Sequence, residues 1–392
     1  MSADGTRVRV CQVISSFHPV MGGAEQATLH LSRELVRRGA EVSVLTRRYP
    51  GLGPRDDVDG VRVYRAGFPL RGKLGALSFA LHALLLLATR LRDHDVVHAQ
   101  GPDVQLLVSL VARVLLGRRM VFTVHSDPHL QLRIGVDGGG PRFHAVRRWV
   151  DRIGVLGPHV ARALEEEGIP AERIVTLPNG VDMSRFTPAD PNTRAGLRAE
   201  LGLLDGEVVG VFLGRLVPLK RVDLLISAWV KGGAGARGPL LIVGEGPEEE
   251  SLRSVAAELA SPSVRFLGRT DRPEVILRAA DLFVLPSQRE GQSMALLEAM
   301  ACGLVPVVSD LEPNVAVVED GATGFVFTTD DQSSLEQALQ RALDADRQAV
   351  SRNAASQVAA RNSLAATAST HLALYEQIGP AGTARRAVGS IL

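Results

Sequence analysis

The stretch VVGVFLGRLVPLKR, residues 208–221, shows the pattern that decides the fold. Its first six residues form an apolar run typical of a strand buried on both faces, and a loop with Gly214, Arg215 and Lys220 follows. Five further runs, with helical segments between them, lie at residues 240–244, 264–267, 282–286, 305–308 and 324–327. Apolar strands that alternate with helices predict an α/β fold with a doubly wound parallel sheet.

The first half of the chain repeats the pattern, which indicates a second domain. Its strand-like runs lie at residues 8–14, 41–46, 61–65, 96–99, 120–123, 153–156 and 174–177. A polar stretch, residues 190–206, separates the two sets. We therefore expect two α/β domains, residues 1–190 and 191–370. Ligands of such sheets bind at the carboxyl ends of the strands, so the loops after the strands are where chemistry is expected.

The composition is that of a globular protein and excludes several functional classes. Of the 392 residues, 45% are apolar and 22% are charged, so the chain can bury sizeable cores. A net charge of +1 argues against a nucleic-acid binder driven by bulk charge. Two cysteines, Cys11 and Cys302, are too few for a disulfide scaffold or a multi-cysteine metal site.

The sequence favours a cytoplasmic location. The first six residues are short and polar and do not fit a signal peptide. The longest apolar stretch, residues 74–91, has no unbroken apolar run longer than residues 83–88, far below the roughly 20 residues of a membrane span. We therefore predict that it is a buried helix.

The two halves differ in charge. Residues 1–190 carry 25 basic and 19 acidic side chains, whereas the remainder carries 19 and 24. A basic first domain favours an anionic acceptor or a membrane surface, although solvated faces of unequal sign explain the difference equally well. Peripheral membrane contact is therefore open.

The sequence contains no complete P-loop or dinucleotide-binding motif, and it indicates no metal site. Gly67 to Lys73 has the spacing of a phosphate-binding P-loop, but Leu74 stands where Ser or Thr is needed. No G-x-G-x-x-G follows the first strand, which argues against a dinucleotide-dependent redox enzyme. The pair Asp93 and Asp95 fits a solvated turn better than a metal site, and no zinc-like cluster exists in the sequence.

The strongest chemical signals lie in the second half. Arg215 and Lys220 follow a predicted strand and could clamp a diphosphate. Glu290 precedes a predicted helix, and the free N–H groups at its start suit a phosphate. Glu298 lies in an apolar run inside that helix, where a carboxylate is costly without a partner such as ligand hydroxyls.

The first half offers two weaker signals. Gly22 and Gly23, just before a predicted helix, would let backbone approach a ligand closely or simply form a tight turn. His125 follows a predicted strand and is either a structural or an active-site histidine.

Together these segments resemble the retaining glycosyltransferases of family four, which have the GT-B architecture. The resemblance runs from about residue 8 to about residue 345. It rests on the order and spacing of the segments already quoted, together with residues 22–25, Pro178-Asn179-Gly180-Val181-Asp182 and residues 244–247. Arg221 departs from the family pattern, in which Gly is frequent at that position.

The resemblance implies two Rossmann-like domains facing across a cleft and a nucleotide sugar held mainly by the second. The implied catalytic residues are His125, Arg215, Lys220 and Glu290. Arg215 and Lys220 would bind the diphosphate, Glu298 the ribose, and the backbone near Thr270 the base. The sugar and phosphate would meet Glu290 and three neighbours, Gln292, Ser293 and Met294, while Gly22 and Gly23 approach from the first domain.

The resemblance further implies retention of anomeric configuration, with a UDP-sugar as the expected donor. From the residues themselves we expect no cofactor and no metal, because fixed cations and a helix N-terminus can stabilise the leaving diphosphate. The end of the chain, residues 371–392, would return to the first domain.

The acceptor stays open. Asp103, Asp127 and Asp137 suit a cationic aminocyclitol, and the 41 arginines beside three lysines indicate a GC-rich coding sequence that keeps an antibiotic pathway plausible. Four cations could instead serve a phosphoinositol-type lipid: Arg62, Arg65, Arg71 and Lys73. A nucleotide-sugar epimerase, a phosphorylase and a non-catalytic sugar-nucleotide binder are the competing hypotheses. The oligomeric state is not indicated.

Overall fold

The computed structural model describes residues 7–20, 22–125, 132, 140–259 and 262–379. The chain forms two compact units, residues 1–180 with 364–392, and residues 181–363. The predicted division placed the changes after residues 190 and 370. The observed changes coincide with a parallel bridge between Val181 and Ser363, where Val181 N donates to Asn362 O at 2.7 Å. The polar stretch 190–206 therefore belongs to the second unit.

The first unit is built on an eight-stranded sheet of order β3-β4-β2-β1-β5-β6-β7-β8. Every neighbouring pair is parallel except β3 and β4. The strands are β1 (Arg9–Val13), β2 (Glu41–Arg47), β3 (Arg55–Val58), β4 (Val61–Ala66), β5 (Val96–Gln100), β6 (Arg119–Val124), β7 (Arg152–Val155) and β8 (Ile174–Thr176). Sequence patterning missed β3 because this edge strand, RDDV, is polar and largely exposed.

Five helices in the described part of the first unit precede the second unit in the chain. They are α1 (Gly23–Arg37), α2 (Gly72–Ala88), α3 (Val104–Leu116), α4 (Pro141–Trp149) and α5 (Pro158–Glu166). The helix α1 follows β1, and α3 follows β5, so both begin where the strand order reverses between β1 and β5. This is the edge at which doubly wound sheets bind ligands.

The second unit has a six-stranded, wholly parallel sheet of order β11-β10-β9-β12-β13-β14. Its strands are β9 (Gly210–Leu213), β10 (Leu240–Val243), β11 (Val264–Gly268), β12 (Leu282–Leu285), β13 (Val305–Ser309) and β14 (Phe325–Phe327). The strand order reverses between β9 and β12, the arrangement of two linked mononucleotide-binding halves.

Eight helices lie in the residues of the second unit that the structure describes. They are α6 (Pro191–Glu200), α7 (Val222–Lys231), α8 (Glu249–Glu258), α9 (Pro273–Ala279), α10 (Met294–Ala301), α11 (Glu312–Val315), α12 (Gln332–Asp344) and α13 (Arg347–Arg361). Trp229 of α7 is fully buried over the sheet, where a Cβ on Gly210 would lie 2.4 Å from its ring. The sequence therefore needs glycine at that strand position to let α7 pack.

The last described helix, α14 (Leu364–Ile378), returns to the first unit. Its Ala368, Leu374 and Tyr375 share a buried cluster with Leu31 and Leu35 of α1. Within the predicted segment 371–392, residues 371–378 thus pack on the first unit.

The helix α2 corrects the prediction of a buried helix over residues 74–91. Phe79, Ala83 and Leu87 are buried, but Leu74 is 69% exposed and Leu85 58% exposed. Leucines lie on all sides of the helix, whereas the sheet covers only one side of it. Across the described ranges, no helix is both long and apolar enough to cross a membrane.

Candidate active site

An ion pair spans two loops at the point where the second sheet reverses. Lys220 ends a short 3₁₀ turn after β9, and Glu290 lies in the loop after β12. Lys220 Nζ donates to Glu290 Oε1 at 2.5 Å, and Ser287 Oγ donates to the same oxygen at 2.7 Å. Gln288 N donates to Leu219 O at 2.9 Å and joins the loops through their backbone. The structure therefore brings Lys220 and Glu290 together as one unit.

The serine beside Glu290 is itself held by the next strand. Ser309 Oγ, at the end of β13, donates to Ser287 O at 2.7 Å. Asn314 Nδ2 donates to Ser309 Oγ at 3.1 Å. All three polar side chains are buried, so these bonds fix the loop that carries Glu290. Sequence reasoning missed Ser287, Ser309 and Asn314 because short polar side chains in loops carry no distinctive pattern.

Two glycines bring the loops after β9 and β10 into backbone contact. A Cβ on Gly244 would lie 1.8 Å from Gly214 O, and one on Gly246 would lie 2.1 Å from Leu216 O. Leu216 N donates to Glu245 O at 3.0 Å. The contact holds the loop of Arg215, which is exposed and makes no ion pair or side-chain hydrogen bond with any described residue. Arg215 is thus a cation available to an anionic ligand.

The helix α10 begins beside Glu290. Ser293 is its N-cap, and Ser293 Oγ accepts from Leu296 N at 3.3 Å. Gln292 immediately precedes this cap, and Met294 is the first helical residue. The first N–H groups of a helix carry partial positive charge and are suited to a phosphate. The predicted phosphate contacts of these three residues remain predictions.

Glu298 is a buried carboxylate inside α10. Its residue is 6% exposed, and no described residue donates a hydrogen bond to its side chain. Burial raises the pKa of Glu298 to about 7, while Arg185 lowers it and Glu274 raises it. Arg185 is itself held by Glu274 Oε2 at 2.9 Å and Asp271 O at 2.8 Å. An unpaired buried carboxylate of this kind is a candidate ligand contact.

Thr270 lies at the carboxyl end of β11, on the same edge of the second sheet. Thr270 Oγ1 accepts from Arg272 N at 3.0 Å in a local turn. Its predicted contact with a nucleotide base stays a prediction.

Arg221 stands at the position where glycine is frequent in the family. It adopts a left-handed conformation with φ of 48° just before α7, a conformation that favours glycine. Its guanidinium forms ion pairs with Asp223 and Asp330. Arg221 is therefore engaged within the unit, unlike Arg215.

His125 follows β6 in the first unit. Its Nε2 lies 2.9 Å from Oε1 of Gln100, the last residue of β5. Burial lowers the pKa of His125 to about 4, so the imidazole is neutral at pH 7. The histidine is thus held at the carboxyl edge of the sheet, as predicted for either a structural or an active-site role.

Gly22 and Gly23 lie at the start of α1. Gly22 N donates to Glu25 Oε2 at 3.0 Å, and a Cβ on Gly22 would lie 2.8 Å from that oxygen. No atom of a described residue lies within 4 Å of a Cβ placed on Gly23. The glycine at position 22 therefore accommodates the capping carboxylate, and its predicted donor contact is untested.

Among the acceptor-side candidates, Asp103 is exposed at the N-cap of α3. Asp127 and Asp137 lie outside the described residues. Arg62 is paired with Glu41 at 2.7 Å, and Arg65 is 1% exposed and paired with Asp56 at 2.9 Å.

Two of the four cations suggested for a lipid acceptor are therefore engaged in internal ion pairs. Arg71 and Lys73 are exposed, and neither pairs with any residue in the described ranges.

No group of three or more histidine, cysteine or carboxylate side chains that could hold a metal occurs in the part of the chain that the structure describes.

Comparisons with known proteins identify the family. The model for Glycosyltransferase Family 4 matches residues 21–185, and that for glycosyl transferases group 1 matches residues 194–357. A phosphatidyl-myo-inositol mannosyltransferase of Mycolicibacterium smegmatis is 32% identical over 351 residues, 87% of this chain and 86% of that protein. The chain belongs to glycosyltransferase family 4.

Other relatives of this glycosyltransferase are named for different activities. A GDP-mannose-dependent monoacylated alpha-(1-6)-phosphatidylinositol monomannoside mannosyltransferase of Corynebacterium glutamicum is 39% identical over 178 residues, 43% of this chain and 46% of that protein. A D-inositol 3-phosphate glycosyltransferase of Rhodococcus erythropolis is 29% identical, over 78% of this chain and 75% of that protein.

Solved structures agree on the fold of the transferase. Sucrose-phosphate synthase from Thermosynechococcus elongatus superposes with a TM-score of 0.80 at 21% identity, over 95% of this chain and 99% of that one. Anabaena HepE, in complex with UDP and glucose, gives 0.78 at 19% identity, over 94% and 100%. Two α/β units with parallel sheets and these neighbours confirm the GT-B fold.

Proposed function

We propose that the transferase moves a hexose, with retention of anomeric configuration, from a nucleotide-diphosphate sugar to a hydroxyl of an inositol-containing phospholipid at a membrane surface. The observation that carries the lipid acceptor is an exposed apolar face on α2 in the first unit.

Four leucines form this face, which we call the leucine stripe: Leu74, Leu77, Leu81 and Leu85. Each is more than half exposed. At 100° per residue they lie within about 80° of the helix circumference, so they present one side of α2 to the exterior. Single exposed leucines are ordinary, but an aligned group of this size marks an interaction surface.

The neighbouring helix extends the apolar surface. The helix α3 packs beside α2 and exposes Leu107, Val114 and Leu115. A groove of about 660 Å³ runs among α2, α3 and α4, and Leu77 and Leu107 line both the groove and the surface. Most of the lining is apolar, with Ser15, Arg47, Asp103 and Arg142 as its polar members. A groove of this chemistry suits an acyl chain better than a free sugar.

Cations flank the leucine stripe at both ends. Arg71 and Lys73 lie at the start of α2, and Arg90 follows its end. All three are exposed, and none pairs with a residue in the described part of the chain. Each cation near an anionic membrane contributes about 1 kcal/mol of attraction. An apolar face bordered by cations suits a helix that lies in the interface of anionic lipids.

The relatives support an inositol lipid and suggest the donor. Two of the relatives are named as mannosyltransferases of phosphatidylinositol or a derivative of it, and one of these is named as GDP-mannose-dependent. We therefore put GDP-mannose first among the donors to be tested. A UDP-sugar, expected from the sequence, is the alternative.

The second unit supplies groups suited to the chemical step. Arg215 and Lys220 would neutralise the diphosphate as the sugar–phosphate bond breaks, and the start of α10 would add its N–H groups. Glu298 would accept hydrogen bonds from ribose hydroxyls. Retention follows if the departing phosphate takes the proton of the acceptor hydroxyl on the same face of the sugar. Fixed positive charge where negative charge develops is the main source of rate enhancement in this scheme.

The test is a transfer assay with paired donors and acceptors. The protein is incubated with labelled GDP-mannose or UDP-glucose, and with phosphatidylinositol vesicles or soluble D-inositol 3-phosphate. We expect labelled lipid with one donor, and an α-linked product by NMR. Transfer to the soluble acceptor alone would replace the lipid proposal with a soluble cyclitol acceptor, as in the Rhodococcus relative's name. Donor turnover that needs no acceptor would favour hydrolysis or epimerisation.

A further inference from the structure

A chain of buried hydrogen bonds joins His125 to the returning helix α14. His125 Nε2 lies 2.9 Å from Gln100 Oε1, and Gln100 Nε2 donates to Gln12 Oε1 at 2.9 Å. Gln12 Nε2 donates to Tyr375 Oη at 3.1 Å. The phenol then lies 2.6 Å from His98 Nδ1, and His98 Nε2 lies 2.7 Å from Thr123 Oγ1. We call these six residues the buried relay.

The two glutamines give the buried relay a direction. Each uses its Nε2 as donor and its Oε1 as acceptor, so Gln100 presents an acceptor oxygen to His125. His125 must then donate from Nε2. Tyr375 Oη accepts from Gln12 and can either donate to or accept from His98 Nδ1, and His98 Nε2 lies 2.7 Å from Thr123 Oγ1 and 3.4 Å from Gln100 Nε2. The three bonds from His125 through Gln100 and Gln12 to Tyr375 therefore point away from His125, and reversing one of them would require reversing the other two.

Burial makes the relay both necessary and neutral. Gln12, His98 and Tyr375 are fully inaccessible, and Gln100 is nearly so. Loss of any one link leaves a buried polar group without its partner, which is costly. Burial holds the pKa of His98 well below and that of Tyr375 well above their ordinary values. A neutral imidazole offers one donor and one acceptor, so His98 can bond to Tyr375 and to Thr123 at the same time.

We propose that Tyr375, Gln12 and Gln100 are positioning residues that hold His125 in its Nε2–H tautomer, so that α14 contributes to sugar transfer although none of its residues is placed at the substrate. The tautomer decides whether Nδ1 of His125 accepts or donates, and therefore which sugar hydroxyl geometry the ring can meet. The inference rests on the proposed function in that His125, a catalytic residue implied by the family resemblance, takes part in the proposed sugar transfer.

The first experiment measures the tautomer directly. Histidines are labelled with ¹⁵N in the ligand-free protein, and His125 is assigned by the signal that disappears in His125→Gln. We expect the Nε2–H tautomer in the natural protein and a mixture of both tautomers in Tyr375→Phe. A proton on Nδ1 in the natural protein, or an unchanged tautomer in Tyr375→Phe, would overturn the proposal. Because no substrate is added, the result does not depend on the donor or acceptor.

The second experiment measures turnover as GDP release from GDP-mannose with phosphatidylinositol vesicles. Leu374→Ala is the matched control, because Leu374 is buried in α14 beside Tyr375 but takes no part in the relay. We expect kcat to fall about tenfold in Tyr375→Phe, with the KM for donor unchanged, and to fall less than twofold in Leu374→Ala. Equal loss in both variants would assign Tyr375 a structural role only.

A second variant tests the proposal even if the Tyr375→Phe protein does not fold. Gln12→Met breaks the relay two links from His125 and keeps the side-chain length. We expect the same mixture of tautomers and the same fall in kcat; a natural tautomer in this variant would overturn the proposal. Failure of the proposed function shows instead as no transfer by the natural protein, whatever its tautomer.

Discussion

Lys220 is the residue whose loss should separate chemistry from stability most clearly. Its ammonium pairs with Glu290 across two loops of the second unit, in the place where a diphosphate is expected. Lys220→Ala removes a positive charge that stabilises the diphosphate most strongly as negative charge develops on it during departure. We expect kcat/KM to fall by roughly 10²–10³, as for removal of one preorganised donor, while the melting temperature changes little.

The control for this variant is Lys231→Ala. Lys231 is an exposed lysine at the end of α7 in the same unit, and no described residue forms an ion pair with it. Turnover and thermal unfolding of both variants are measured under identical conditions. Equal activity in the two would refute a diphosphate role for Lys220.

Glu298 should make the stability of the ligand-free protein depend on pH in a particular direction. Burial raises its pKa from 4.5 to about 7, so the folded chain keeps a proton that the unfolded chain releases in that interval. Stability from this group is therefore present below pH 4.5 and is lost as the pH rises through 7. Glu298→Gln removes the titration, so we expect about 1–3 kcal/mol of added unfolding free energy at pH 8 and little change at pH 5.

Denaturant unfolding at both pH values measures this effect. The same variant should bind nucleotide more weakly, because an amide cannot replace a carboxylate that accepts two ribose hydroxyls. Equal stability changes at pH 5 and pH 8 would show that Glu298 is already ionised in the folded protein.

At the scale of single residues, sequence reasoning could find charges but not their partners. Lys220 and Glu290 were selected because charged side chains after apolar strands are conspicuous. Ser287 and Asn314, which hold the same loop, look like any loop residues. Arg62 and Arg65 show the opposite error, since a sequence does not reveal that Glu41 and Asp56 already engage them.

At the scale of elements, the leucine stripe of α2 offers a test of membrane attachment. Leu77→Glu combined with Leu81→Glu places two charges on the stripe without disturbing the buried side of the helix. Burial of one leucine contributes about 1.5–3 kcal/mol, so we expect the double variant to bind anionic vesicles at least about tenfold more weakly. Vesicle flotation with phosphatidylinositol or phosphatidylserine measures the bound fraction.

The control is Leu204→Glu, at an equally exposed leucine of the second unit. It should bind as the natural protein does. Raising the salt concentration should weaken binding of the natural protein, because Arg71, Lys73 and Arg90 contribute through screened charge. Vesicle binding that the double variant retains would show that α2 is not the attachment surface.

Elements were predictable where the pattern follows burial. Apolar strands buried on both faces are distinctive, and thirteen of the fourteen strands in the described part of the chain overlap predicted runs. The strand β3 lacks that signal because its polar residues form an exposed edge. The helix α2 shows the converse: leucines on all sides of a helix predict burial, and only the packing of Phe79 and Leu87 shows which side is covered.

At the scale of the whole molecule, the GT-B fold could be predicted because its pattern occurs twice, whereas contacts distant in sequence could not. Gln12 and Tyr375 are 363 residues apart, and nothing near either one identifies the other. The unit boundaries show the same limit. The polar stretch 190–206 looked like a linker, but Arg198 within it is buried and donates to Ala279 O at 3.2 Å.

The two units should respond to pH in opposite directions. In the first unit, burial lowers the pKa of His125 and His371 to about 4 and holds the pKa of His98 well below its ordinary value. Below pH 6.5 these histidines bind protons in the unfolded chain but stay neutral in the folded chain. The stability that they contribute is therefore present above pH 6.5 and is lost as the pH falls from 6.5 to 5. Glu298 makes the second unit gain stability over part of the same interval.

Hydrogen exchange by mass spectrometry, corrected for the intrinsic effect of pH on exchange, measures each unit separately. Between pH 7.5 and 5.5 we expect faster exchange in β5, β6 and α14, which carry the three histidines or directly precede one, and unchanged or slower exchange in α10. A triple variant with His98, His125 and His371 replaced by Gln should lose most of the acid sensitivity of the first unit if it folds, and buried His94, whose pKa burial also lowers, accounts for the remainder. The single variant His371→Gln should reduce it in any case. If acidification accelerated hydrogen exchange in both units alike, titratable groups other than these histidines and Glu298 would govern the response.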